Sequence, residues 1–224
     1  MIRVGVVQFP GTNCELDVLR VLRDLGADAE LLFHADRTVS GVDAVVIPGG
    51  FAHGDYLRAG AIARFSAVMD AVTDHASAGG PVVGICNGFQ VLCEAGLLPG
   101  ALQKNAGLKF LCQPVALRVE TTTTVLTNQA TPGEILSIPI NHFEGNYVCD
   151  DRTLDALRAE ERVVVRYVAN PNGARDDIAG ICNEGRNVVG LMPHPERASD
   201  PLLGSDDGLV MMRSLLAAVS VPAL

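Results

Sequence analysis

Pro81-Val82-Val83-Gly84-Ile85-Cys86-Asn87-Gly88-Phe89-Gln90 is the stretch that decides the fold. Its first half is an apolar run of strand length, preceded by Gly79-Gly80, and a run without polar alternation reads as a strand buried on both faces. From about Gly88 to Ala95 the pattern turns helical. The junction, Gly84-Ile85-Cys86-Asn87-Gly88, matches the elbow that holds a nucleophile on a tight turn between strand and helix, with Cys in place of Ser. Two chemical consequences follow from that position. The sulfur projects beyond the C-terminal edge of the sheet, where α/β proteins bind ligands. It also lies at a helix N-terminus, whose dipole and free N–H groups favour thiolate over thiol. The amide of Asn87 is then placed to donate to an oxyanion. The bland alternative is that Gly84 and Gly88 only let strand and helix pack closely, so a base and a second donor are needed.

Working outward, residues 2–9 form another apolar run, ending in Pro10-Gly11, and read as a buried strand. Asn13 can cap a helix over residues 14–25, with Gly26 just past its last turn. Residues 29–33 and 44–47 are short apolar strands, and a long helix is expected over residues 56–76. This alternation means a mostly parallel, doubly wound α/β sheet with helices on both faces. Residues 108–147 change character: Val115, Leu117 and Val119 alternate with polar residues, and no long helical pattern appears. They read as an antiparallel extension, with β-branched Thr121–Thr124 favouring a strand or its edge. A short helix over 151–160, strands over 163–168, 178–182 and 188–192, and a last helix over 206–219 follow. No Gly/Ser/Pro-rich linker and no repeat divides the chain, so residues 1–224 are expected to form one domain.

Composition removes several function classes. The 224 residues carry 17 Lys+Arg against 26 Asp+Glu, a net charge of −9, with Lys104 and Lys109 the only lysines. Such a balance argues against a nucleic-acid binder or a basic membrane-surface helix. No apolar run approaches the roughly 18 residues of a membrane span, and the N-terminus lacks a signal pattern. The six cysteines contain no C-x-x-C pair, which gives no support to a zinc ribbon or thioredoxin-type couple. They read as reduced thiols of a cytoplasmic protein. Apart from Cys86, each is expected to be a small buried hydrophobe.

A base is found in Met192-Pro193-His194-Pro195-Glu196-Arg197, just past an apolar strand. The two prolines bias the segment toward extended backbone, in which positions i and i+2 point the same way. Glu196 can thus hold the His194 imidazole in the tautomer that accepts a thiol proton. A rigid proline turn with incidental polar residues is the competing reading. Pro48-Gly49-Gly50-Phe51 follows the strand at residues 44–47, and its side-chain-free glycines allow a backbone N–H to approach a substrate. No metal-ligand spacing is present.

In order along the chain, Pro48-Gly49-Gly50, Gly84-Ile85-Cys86-Asn87-Gly88-Phe89-Gln90 and Pro193-His194-Pro195-Glu196 resemble the motifs of class I (triad) glutamine amidotransferases, which have a flavodoxin-like sheet. Pro10–Cys14, Gly49–Arg58 and Asp206-Asp207-Gly208 are similar to those of members that serve a synthetase of purine biosynthesis. The resemblance implies that Cys86 attacks the glutamine side-chain amide and that His194 carries the proton to the leaving ammonia. Water then hydrolyses the glutamyl thioester. It further implies an oxyanion hole from the Gly50 and Asn87 amides, and glutamine contacts from Gly49, Gly50, Phe51 and Gln90. Where many relatives carry His-Gly-Glu-Gly, this chain has Asn141-His142-Phe143-Glu144-Gly145-Asn146-Tyr147. Other members use the backbone of an Asn-His-containing loop here, which implies the same for Asn141, His142 and Phe143.

The chain has neither a G-x-x-x-x-G-K-[ST] loop nor an acidic cluster for Mg-ATP, so it is expected to carry no cofactor. By resemblance, ATP and Mg belong to a large synthetase subunit that converts formylglycinamide ribonucleotide to formylglycinamidine ribonucleotide. A small bridging subunit completes that assembly, and ammonia travels through a channel in the partner. Phe51–Arg58 and Asn141–Tyr147 flank the inferred site and are expected near that interface. The alternatives are an amidotransferase feeding another acceptor, a regulatory module of the same fold, and a cysteine peptidase. Retention of Cys86, His194 and Glu196 speaks against the regulatory module.

Overall fold

Strands with no polar face need cover on both sides, and the chain supplies it. A computed structural model describes residues 1–220. Its first half runs β1 (Arg3–Gln8), α1 (Glu15–Asp24), β2 (Asp28–Phe33), β3 (Ala44–Ile47), α2 (Ala67–Ser77), β4 (Val82–Ile85) and α3 (Asn87–Glu94). The second half runs β5 (Ala101–Gln103), β6 (Leu111–Val119), β7 (Ile135–His142), β8 (Asn146–Val148), α4 (Asp151–Ala159), β9 (Val163–Tyr167), β10 (Ile178–Cys182), β11 (Val188–Leu191) and α5 (Gly208–Ser220). A nine-stranded sheet has the order β2-β1-β3-β4-β11-β10-β9-β6-β7, and β5 pairs with β8 apart from it. The pairings from β2 to β11 are parallel, and those from β11 to β7 are antiparallel. The α/β sheet with an antiparallel extension thus matches the sequence pattern.

Three strand ends matter most. Ile47 of β3 pairs with Gly84 of β4, and Ile85 of β4 pairs with Leu191 of β11. The residues that follow these strands therefore emerge side by side at one sheet edge. Helix α3 lies close on this edge because Gly84 and Gly88 have no Cβ. A Cβ on Gly84 would stand 2.6 Å from the Gly88 carbonyl, and one on Gly88 would overlap the Ile47 carbonyl. Close packing and the elbow are thus one feature.

Several local expectations change. The single helix over 56–76 is instead an irregular stretch, one short 3₁₀ turn at Ala63–Phe65, and then α2; a further 3₁₀ turn, Ala52–Asp55, precedes it. Asp55 (φ 52°), Leu57 (φ 69°) and Gly60 (φ 79°) break the helical path, and extended Ser66 (ψ 143°) restarts it. Residues 121–124 are irregular, bending into a turn over 125–129 that Thr side chains tie, with Thr124 Oγ1 2.7 Å from Thr127 Oγ1. Side chain–backbone competition outweighs β propensity there. Cys14, not Asn13, is the N-cap of α1, and its side chain makes no capping bond. The amides of Asn13 and Cys14 donate instead to the Gly49 carbonyl, at 3.2 and 3.1 Å. The short strands β5 and β8 were not legible in the sequence. Of the five cysteines expected to be buried, Cys14 and Cys182 are, Cys93 and Cys149 are half-buried, and Cys112 is exposed.

Candidate active site

The elbow is visible in the backbone. Cys86 has φ 50° and ψ −104°, between the last residue of β4 and the first of α3. A left-handed φ at a residue with a Cβ costs on the order of 1–3 kcal/mol, and such strain clusters at functional sites. The Cys86 amide donates to Leu191 O at 2.8 Å, which ties the elbow to β11. Its thiol donates to the Asn141 carbonyl at 3.7 Å. The Asn87 amide opens α3 and has no intrahelical acceptor.

Past β11, the chain folds into a short 3₁₀ turn, Pro195–Arg197, rather than staying extended. The turn still brings the pair together: His194 Nδ1 lies 2.6 Å from Glu196 Oε1, with both side chains buried. The carboxylate fixes the proton on Nδ1, leaving Nε2 without a partner among the described residues. Burial opposes a charge on this imidazole, but the Glu196 carboxylate, with the Cys86 and Cys14 sulfurs, outweighs it and raises the His194 pKa well above the ordinary value. The His194 amide donates to Pro139 O of β7 at 2.9 Å, so the base is anchored to the antiparallel extension.

Gly49 and Gly50 follow β3 at the same edge. A Cβ on Gly49 would stand 2.7 Å from His194 Cε1 and 3.1 Å from Cys14 Sγ, so only glycine leaves the imidazole its space. Gly50 has φ +149° and bridges Thr12.

These segments border one cleft of about 470 Å³. Cys86, His194, Gly50, Phe51, Gln90, Asn141, His142 and Phe143 line it, which brings together most of the residues selected from sequence. Gly49 lies behind His194 and uses its carbonyl structurally. Asn87 works beneath the surface: its Oδ1 accepts from the Ala52 amide at 3.0 Å, and its Nδ2 donates to Gln90 Oε1 at 2.8 Å and Asp55 Oδ1 at 3.1 Å. Gln90 then donates to the Glu144 carbonyl at 2.6 Å. Glu196 orients His194 from outside the cleft.

Sequence reasoning missed Asn13, Cys14, Asp55, Glu144 and Arg197, which also line the cleft. Asp55 and Glu144 lie inside segments whose residue order was informative, but no spacing rule marks a single carboxylate. Burial raises the Asp55 carboxyl to about 6; the bond from Asn87 opposes this, and the nearby Glu144 adds to it. Cys14, His194 and Glu196 have ligand atoms within 4.8 Å of one another, a spacing that can suit a metal. The Arg197 guanidinium donates to Cys14 Sγ at 3.2 Å, however, and Glu196 already bonds His194. A cation on that sulfur would face a fixed positive charge.

Residues 1–206 match the CobB/CobQ-like glutamine amidotransferase domain family. The chain is 59% identical over 219 residues to the phosphoribosylformylglycinamidine synthase subunit PurQ of Rubrobacter xylanophilus, covering 98% of this chain and 100% of that one. The protein of the same name from Mycobacterium tuberculosis is 57% identical over 218 residues, 97% of each chain. Among solved structures, a chain of PurLQS from Thermotoga maritima superposes with a TM-score of 0.90 at 41% identity, covering 97% of this chain and 99% of that chain. The glutaminase domain of Trypanosoma brucei CTPS, with bound acivicin, shares the fold at a TM-score of 0.65 and 13% identity, covering 100% of this chain and 96% of that one. A strained elbow cysteine, a buried histidine–glutamate pair and near full-length identity agree: the chain belongs to the glutamine amidotransferase family, alongside the PurQ subunits of phosphoribosylformylglycinamidine synthase.

Proposed function

We propose that this chain hydrolyses L-glutamine to glutamate and ammonia and hands the ammonia to a synthetase that converts formylglycinamide ribonucleotide to formylglycinamidine ribonucleotide with ATP. The carrying observation is the convergence, in one cleft, of Cys86 at a strained helix N-terminus with the buried His194–Glu196 pair. His194 takes the Cys86 proton, and the thiolate attacks the carboxamide carbon. The Gly50 and Asn87 amides stabilise the oxyanion. Collapse of the tetrahedral intermediate breaks the C–N bond, and His194 returns the proton to the departing nitrogen, giving ammonia and a glutamyl thioester. Water, deprotonated by His194, then releases glutamate and restores the thiol. Glu196 holds the imidazole throughout. Gly49, Gly50, Phe51, Gln90, Asn141, His142 and Phe143 enclose the substrate. The Asp55 carboxylate attracts its α-ammonium, and the Phe143 and Glu144 amides attract its α-carboxylate.

Activation of the acceptor falls to partners. ATP and Mg are placed on a large synthetase subunit, a small bridging subunit completes the complex, and this chain carries no cofactor of its own. We place the chain in the cytoplasm with those partners. Among the described residues, no helix is long and apolar enough to cross a membrane. Exposed Phe51 on the cleft wall, with exposed Tyr56 and Leu57 just past the cleft-lining Asp55, supplies apolar contact area for the large subunit. Glutamate release by the isolated chain and by the reconstituted complex tests the reading. We expect slow release alone, a large rise in the complex, and labelling of Cys86 by a glutamine-mimicking electrophile. Labelling of a different thiol, or capture of a synthetase for another acceptor, overturns it.

A further inference from the structure

The cleft wall contributed by residues 141–145 has an ordering that the triad does not explain. Its five consecutive carbonyls are all held by protein donors. Asn141 O accepts from Cys86 Sγ, His142 O from Asn105 Nδ2 at 3.0 Å, and Phe143 O from the Asn105 amide at 2.8 Å. Glu144 O accepts from Gln90 Nε2 at 2.6 Å, and Gly145 O from Asn172 Nδ2 at 2.8 Å. In a trans peptide the N–H points opposite the carbonyl. Turning the His142 and Phe143 carbonyls toward Asn105 therefore turns the Phe143 and Glu144 amides away from it. Neither amide donates to an acceptor among the described residues.

Asn105 is 1% exposed, and its role in this arrangement is unusually dense. Besides the two carbonyls it holds in the wall, its Nδ2 donates to Lys109 O at 2.9 Å. Its Oδ1 accepts from the Gly145 amide at 3.1 Å and lies 3.1 Å from His142 Nδ1. The backbone partners fix the amide's orientation: oxygen faces an N–H, nitrogen faces two carbonyls. His142 Nδ1 must then be the donor and carry the ring proton, which leaves Nε2 bare in the neutral ring. That Nε2 is buried without a partner, on a residue that lines the cleft beside His194. Burial and the neighbouring His194 lower the His142 pKa to about 4.

We infer that Asn105 is a positioning residue for the glutaminase reaction: it sets the peptide planes of the substrate wall and locks His142 as the Nδ1–H tautomer, keeping an uncharged imidazole next to His194. An imidazolium at that place would oppose the positive charge that His194 takes from Cys86. The inference rests on the glutaminase reading above, and its test separates the two. Wild type, Asn105→Ala and Asn105→Asp are each assembled with the synthetase subunit and assayed for glutamate release. We expect Asn105→Ala to lower kcat/KM about 10- to 100-fold, mainly through KM, as misplaced substrate-holding groups do. Asn105→Asp keeps both acceptor contacts, loses the two donor contacts to the His142 and Lys109 carbonyls, and adds a negative charge beside Nδ1. It should weaken activity as the alanine variant does and in addition bring an extra ionisation into the kcat/KM–pH profile near neutrality. Ring-nitrogen NMR of the wild-type chain is independent of turnover. It should show His142 protonated at Nδ1, bare at Nε2, and not titrating between about pH 5 and 8. An Nε2–H tautomer, a His142 titration near neutrality, or unchanged kinetics in folded Asn105→Ala overturns the inference. A wild-type complex that releases no glutamate overturns the functional reading instead, while the NMR result still decides the assignment of His142.

Discussion

Cys86 and Glu196 make different demands on the reaction, so their replacements should fail differently. Cys86→Ser replaces the thiolate by a far weaker nucleophile without changing the elbow. Steady-state glutamate release should fall by about 10³-fold or more, with glutamine still bound. Glu196→Gln keeps the shape but removes the charge that counters burial of the His194 imidazolium. A loss of about 10²- to 10⁴-fold in kcat is expected, together with a His194 pKa moved down toward the ordinary range. Mass-spectrometric trapping of the thioester distinguishes slow acylation from slow hydrolysis. Much of this scale was legible in the sequence. Cys86 carries flanking glycines, and His194 and Glu196 carry flanking prolines, so their spacing encodes geometry directly. Asn105 was not legible, because an asparagine in a loop has no spacing signature and acts only through carbonyls that folding brings to it.

At the level of elements, the packing of α3 against β3 and β4 requires a backbone without Cβ at residue 88. Gly88→Ala should destabilise the protein by about 3 kcal/mol or more, measured by denaturant unfolding, since the obstructing atoms are backbone and cannot turn aside. The wall strand has its own pH signature. The folded His142 value of about 4 lies below the unfolded value near 6.5. Between those values the unfolded chain binds the extra proton, so stability falls as pH drops from about 6.5 to 4, by about 3 kcal/mol in all. His142→Gln should flatten that part of the stability–pH curve. The buried strands were readable because residues 4–7, 44–47 and 82–85 are apolar without polar alternation, whereas residues 56–66 misled because their helical apolar spacing is overridden by left-handed turns at Asp55, Leu57 and Gly60.

Across the whole molecule, the exposed segment just past the cleft-lining Asp55 is the expected place for a partner to dock. Tyr56 and Leu57 are 74% and 87% exposed, large apolar groups that a lone chain gains nothing by displaying. Leu57→Ser with Tyr56→Ala should weaken association with the synthetase subunit by about 10-fold or more in a titration, while the isolated chain keeps its fold. The bond from the His194 amide to Pro139 O crosses from the parallel half of the sheet to its far strand. The base is thus moored at two points, by the chain itself to an inner strand and by one backbone bond to the outermost, so its resting place registers both the middle of the sheet and its margin.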